Sequence, residues 1–134
     1  MYKPVQFILI LSKKGERRMT VYELLTAAAA LFFETDLSGY SDLALPFVNM
    51  LLNECFETNN RIRRRNGKEG LLSAPVLTNL YEVIPYEEQL VRLALPYGLA
   101  AKLIYDEQDS ARMNYFMSEY TSRVNRCDRW VVAL

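Results

Sequence analysis

The chain has 134 residues, enough for one domain whose core needs no disulfide or metal to hold it. Its 16 Lys and Arg balance 16 Asp and Glu, so no net charge draws it toward nucleic acid or anionic lipid. Histidine is absent, which removes the side chain most used for acid–base catalysis near neutral pH and for metal binding.

Residues 1–18 open with an apolar run, VQFILIL at 5–11, far short of the ~20 residues that span a bilayer. Lys13, Lys14, Arg17 and Arg18 follow where a secretory signal would carry small residues and a cleavage site. Neither a span nor a signal is expected. Pro4 and the β-rich run suggest an extended arm or a short strand, or an upstream extension of the reading frame.

The first helix is strongly signalled. Thr20 with Glu23 has capping-box spacing, and Leu24, Leu25, Ala28, Leu31 and Phe32 recur on one face. Asp36, Ser38 and Gly39 are expected to end it. A second helix begins near Ser41. Pro46 is tolerated only in a first turn, which would put the regular helix as late as Leu45. Its buried stripe is Phe47, Val48, Leu51, Leu52, Cys55 and Phe56, and Asn66-Gly67 stops it. Residues 68–84 are irregular yet too apolar for a solvated linker. They are expected to lie across the helices or against a neighbour, with a short β-hairpin as an alternative. A third helix starts at Pro85, carries Glu87 and Glu88 in its first turn and kinks at Pro96, where Gly98, Ala100 and Ala101 allow close packing. Asp109 or Ser110 caps a fourth helix bearing Met113, Phe116, Met117, Tyr120 and Val124. The expectation is all-α: about four helices with an irregular linker and extended terminal arms. The divisions are 1–18 (arm), 19–126 (helical domain) and 127–134 (C-terminal tail).

Cys55 and Cys127 have neither zinc-ligand nor redox-motif spacing, and two reduced thiols are expected, with a disulfide left open. Asp106, Glu107 and Asp109 read as helix termination, because the glycine and ligand spacing of a calcium loop are missing. Glu82, Glu87 and Glu88 need no catalytic explanation. No phosphate loop, nucleophile elbow or metal-ligand cluster is present. The chain is therefore read as non-enzymatic, with no cofactor and no metal. Nine tyrosines suit either core or interface. Arg61, Arg63, Arg64, Arg65 and Lys68 form the dense basic run. No stacking aromatics interleave it, so a solvated helix end or a protein-docking patch is preferred to nucleic-acid contact.

The segments LLNECFETNNRIRRR (51–65) and IPYEEQLVRLALPYGLAAKLIYD (84–106), with the closing helix over 113–125, resemble the small head–tail connector (adaptor) proteins of tailed bacteriophages. The likeness covers roughly residues 19–127. It implies a virion structural protein at the neck, assembled in the host cytoplasm as a ring beneath the portal, dodecameric by family habit. Such a ring extends the channel for packaged DNA and offers a platform to further tail or head-completion proteins; no membrane is involved. Carried onto this chain, Arg126, Arg129, Trp130, Val131, Val132 and Leu134 become a portal-binding arm with Trp130 as anchor. Deleting 126–134 should then spare the fold. The linker becomes an intersubunit or channel-lining loop. Arg61, Arg63, Arg64, Arg65 and Lys68 would face DNA or an acidic partner, and Pro96 and Gly98 would shape the kink. The competing reading is a small helical nucleic-acid-binding regulator using the basic run.

Overall fold

A computed structural model describes residues 18–104 and 109–129, and over these the chain is mostly helical, of the all-α class. The elements are α1 (Val21–Leu31), α2 (Ser41–Glu54), α3 (Phe56–Arg65), α4 (Glu88–Leu93), α5 (Leu95–Leu103) and α6 (Ser110–Arg129). The four expected helices are thus six among the described residues, because the second and third are each broken in two.

The capping box of α1 forms as its spacing predicts. Glu23 N–H donates to Thr20 Oγ1 at 3.1 Å, and Thr20 N–H donates to Glu23 Oε1 at 2.9 Å. Such a cap contributes about 1 kcal/mol. Val21, Leu24, Leu25, Ala28 and Ala29 bury its inner face. The helix ends at Leu31, before the Asp36–Gly39 signal, because Phe33 takes a left-handed conformation (φ 63°).

The α2–α3 break lies at Cys55. The Tyr86 hydroxyl, from 34 residues away, donates to the Leu52 carbonyl that a straight helix would offer to Phe56. A side chain inserted into the ladder bends a helix. Pro46 lies inside α2, five residues past its start, so the helix is not delayed to Leu45. Pro46 is exposed, which leaves the carbonyl it cannot serve, that of Asp42, open to water. Gly67 (φ 81°) closes α3, with Gly67 N–H on Arg64 O at 3.1 Å and Lys68 N–H on Arg63 O at 2.9 Å.

The α4–α5 break lies at Ala94, two residues before Pro96. Proline thereby falls in the first turn of α5, where its missing N–H costs nothing. The third helix does not begin at Pro85. Glu87 is its extended N-cap and α4 starts at Glu88. Helix α5 (LPYGLAAKL) is buried nearly all round and packs on α1, α2, α4 and α6. A Cβ on Gly98 would sit 2.7 Å from Leu51 Cδ2 and 2.8 Å from the Tyr120 ring, so only glycine lets α2 and α6 close on α5.

The linker holds no hairpin: among the described residues there is no strand. The β pairing is an isolated antiparallel bridge, Thr20–Val83, joining the linker to the segment before α1. Ile84 N–H donates to Met19 O at 2.8 Å and Tyr22 N–H to Leu80 O at 2.8 Å. The proposed arm at 1–18 lies outside the described residues except for Arg18. Of the 127–134 tail, residues 127–129 belong to α6 and Cys127 is buried. The C-terminal tail therefore does not begin at residue 127, and a deletion of 126–134 would remove the buried Cys127.

Candidate protein-docking surface

The basic run is turned inward on its own molecule. Arg61 grips Asp128 with two bonds, Nε to Oδ1 at 2.8 Å and Nη2 to Oδ2 at 2.9 Å. Arg65 donates to the backbone carbonyls of Cys127 (2.8 Å) and Asp128, at the negative end of α6. Arg63 reaches the Glu69 carbonyl at 2.6 Å and lies 3.5 Å from the Glu87 carboxylate. Lys68 Nζ bonds both Glu87 oxygens, at 3.0 and 3.2 Å. Arg64 stays exposed, its guanidinium beside Gly70. The run thus staples α3 to the last turn of α6 and to the start of α4.

Glu87 is the residue that sequence reasoning misplaced. It is almost fully buried and collects Lys68, Arg63 and Asn66, while its N–H donates to Asn59 Oδ1 at 2.7 Å. Burial pushes its carboxyl up, but the bonds from Lys68 and Asn66 outweigh that and hold it below the usual range. Asp128 is also held low, chiefly by its bonds to Arg61. No short-range spacing pairs residue 61 with 128 or 68 with 87.

Two further asparagines carry no short-range signal of their role. Asn49 accepts from Leu77 N–H (2.8 Å) and donates to Leu77 O (3.0 Å). Asn60 does the same with Leu71, at 2.7 and 3.0 Å. Each side chain mimics a neighbouring strand, so a loop without regular structure has its backbone satisfied at Leu71 and Leu77 and is pinned there to α2 and α3. Leu77 and Ile84 point into the core. Leu72, Val76, Tyr81 and Val83 point to solvent, with Tyr81 74% and Val76 72% exposed. The exposed ring of Tyr22 lies 6.0 Å from that of Tyr81. The loop both crosses the helices and leaves several apolar side chains in solvent.

Searches of protein-family models, curated proteins and solved structures find no match to this chain.

Arg126 and Arg129 lie exposed on the last turn of α6, so they are helical residues rather than parts of an extended arm. Trp130, Val131, Val132 and Leu134 lie outside the described residues. Beside Arg126 is a pocket of about 150 Å³ between α4 and α6, lined by Leu93, Arg123, Arg126 and Cys127. Arg123 lies over the Tyr97 ring, 4.1 Å from its centroid, and pairs with Glu119 at 3.0 Å.

Both cysteines are free and buried. Cys55 sits 3.2 Å from the Tyr120 hydroxyl, which donates to Glu54 at 2.8 Å; Lys102 closes the chain on Glu54 at 3.0 Å. Burial pushes the Cys55 thiol up to about 11 and raises Cys127 as well. Neither is a thiolate at neutral pH, so neither is a ready nucleophile. Among the described residues no three acidic or thiol side chains gather where a metal would need them, and no helix is long and apolar enough to cross a membrane.

Proposed function

We infer that the chain is a structural subunit of a bacteriophage head–tail connector. It forms a ring beneath the portal, extends the DNA channel and offers a platform to the next tail component. The observation that carries this is the loop at 68–87. Its backbone is locked by Asn49 and Asn60 while Leu72, Val76, Tyr81 and Val83 are held out in water. Rigid presentation of apolar side chains is costly for a lone monomer and useful to a subunit whose partners cover them. The resemblance over residues 19–127 supplies the kind of assembly, and the tail at 130–134, with Trp130, supplies the portal anchor.

A nucleic-acid-binding regulator is the lesser reading. It needs the basic run free for phosphates, whereas Arg61, Arg63, Arg65 and Lys68 are engaged within the chain. Native mass measurement of the purified protein, alone and mixed with a candidate portal ring, tests the inference. Stoichiometric capture into a closed ring is expected. Absence of capture together with salt-sensitive DNA binding would replace the connector by the regulator.

A further inference from the structure

Phe33 is unexplained by the fold. It follows α1 with φ 63° and is 91% exposed. Its N–H closes on Ala30 O at 3.0 Å, and Glu34 N–H closes on Ala29 O at 2.9 Å, so its backbone direction is fixed. Glycine takes this left-handed cap without penalty, whereas a residue with a β-carbon is strained there. A strained aromatic held in water stabilises nothing inside the chain.

The pocket between α4 and α6 has complementary properties. Its volume of about 150 Å³ matches that of apolar cavities known to take up benzene, the ring of phenylalanine. Its rim is cationic. Arg126 is exposed and, among the described residues, carries no ion pair. Phe33, in contrast, is followed by Glu34 and Asp36. Asp36 is fixed by Ser38, whose N–H and hydroxyl donate to Oδ1 at 3.0 and 2.8 Å. These bonds to Oδ1 hold its carboxyl below the usual range.

Ring and pocket of one chain do not meet. Phe32 packs against Phe116 on α6, at 6.4 Å between centroids. The pocket residues Arg123 to Cys127 lie further along that helix by roughly 10–17 Å at the usual rise per residue. That separation is beyond the reach of one side chain.

We propose that Phe33 of one copy enters the Leu93–Cys127 pocket of a second copy, with Asp36 facing Arg126. The contact joins two different patches, so it runs head to tail and closes into a ring when the rotation allows. It rests on the reading of the chain as a ring subunit and names the contact between subunits.

The test is sedimentation equilibrium of the full chain over a wide concentration range, alone and on the portal ring, with thermal melts of each variant. Phe33→Gly relieves the cap, so its melting temperature stays level or rises while self-association weakens at least about tenfold, the loss expected when a buried aromatic is withdrawn. Asp36→Arg and Arg126→Asp each weaken association, and the two together restore it. Phe33→Gly associating like wild type would overturn the contact and leave the ring reading standing. A wild type that neither self-associates nor joins the portal would sink both. Phe33→Gly losing portal capture alone would make the portal the occupant, against the proposal. A Trp130→Ser variant that associates where wild type does not would put the chain's own tail in the pocket and overturn it equally.

Discussion

A methyl group added at Gly98 would lie 2.7 Å from Leu51 Cδ2 and 2.8 Å from Tyr120 Cδ1 and Cε1. The Tyr120 ring has little freedom to retreat, because its hydroxyl is tied to Glu54 at 2.8 Å and lies 3.2 Å from Cys55 Sγ. Gly98→Ala should therefore force α6 off α5 despite the better helix propensity of alanine. The expected loss is about 1–3 kcal/mol, the usual cost of overpacking a filled core, read as a lower urea midpoint at unchanged slope. A midpoint equal to wild type would mean that the three helices are less tightly docked than these distances require. Gly98 was legible in sequence as a small residue beside a kink-forming proline. Glu87 was not: its first-turn position gave a complete local explanation, and the lysine that pairs with it arrives through the left-handed turn at Gly67.

Among elements, the legible ones are those whose signals are local. The capping box and apolar spacing of α1 and the Asp109 start of α6 form as read, with Arg112 N–H donating to Asp109 Oδ1 at 3.1 Å. The breaks at Cys55 and Ala94 were illegible or misplaced. One depends on a tyrosine 31 residues further along the chain, and the other moves upstream so that Pro96 can occupy a first turn. The loop at 68–87 was legible as apolar and irregular, but its fixed path depends on asparagines whose spacing announces nothing. Asn60→Ala removes both bonds to Leu71 and leaves a partly buried N–H and carbonyl unmatched, at about 1–3 kcal/mol for each group that stays unsatisfied. The expected escape is local opening. Amide exchange at Leu71 should quicken and the loop should become a protease site, while α1, α5 and α6 keep their protection. Uniform loss of protection through all helices would show that the loop is part of the global folding unit instead.

For the whole molecule, two carboxylates tie separate regions to α3: Glu87 holds the start of α4 to Lys68 and Arg63, and Asp128 holds the end of α6 to Arg61. Both have pKa values lowered in the folded chain. A depressed carboxyl contributes stability that is fully present above its unfolded pKa, near 4, and is lost as pH falls through its folded value. With no histidine in the chain, nothing of that kind titrates between pH 6 and 8. The thermal midpoint should therefore be flat from pH 6 to 8 and fall once pH drops below about 4.5. The two ties should also fail differently. Glu87 is buried, so protonating it removes the counter-charge of Lys68 and of the largely buried Arg63 guanidinium. Asp128 and Arg61 are partly solvated, so their pair is worth less to the whole and more to the local docking of the last turn of α6. Asp128→Asn should accordingly leave the global midpoint near wild type at pH 7 while amide exchange quickens through the last turn of α6. Glu87→Gln should lower the midpoint at pH 7 and flatten the acid limb, because the mutant has already lost what acid would remove. An acid limb unchanged by Glu87→Gln would place the acid-sensitive tie elsewhere in the chain.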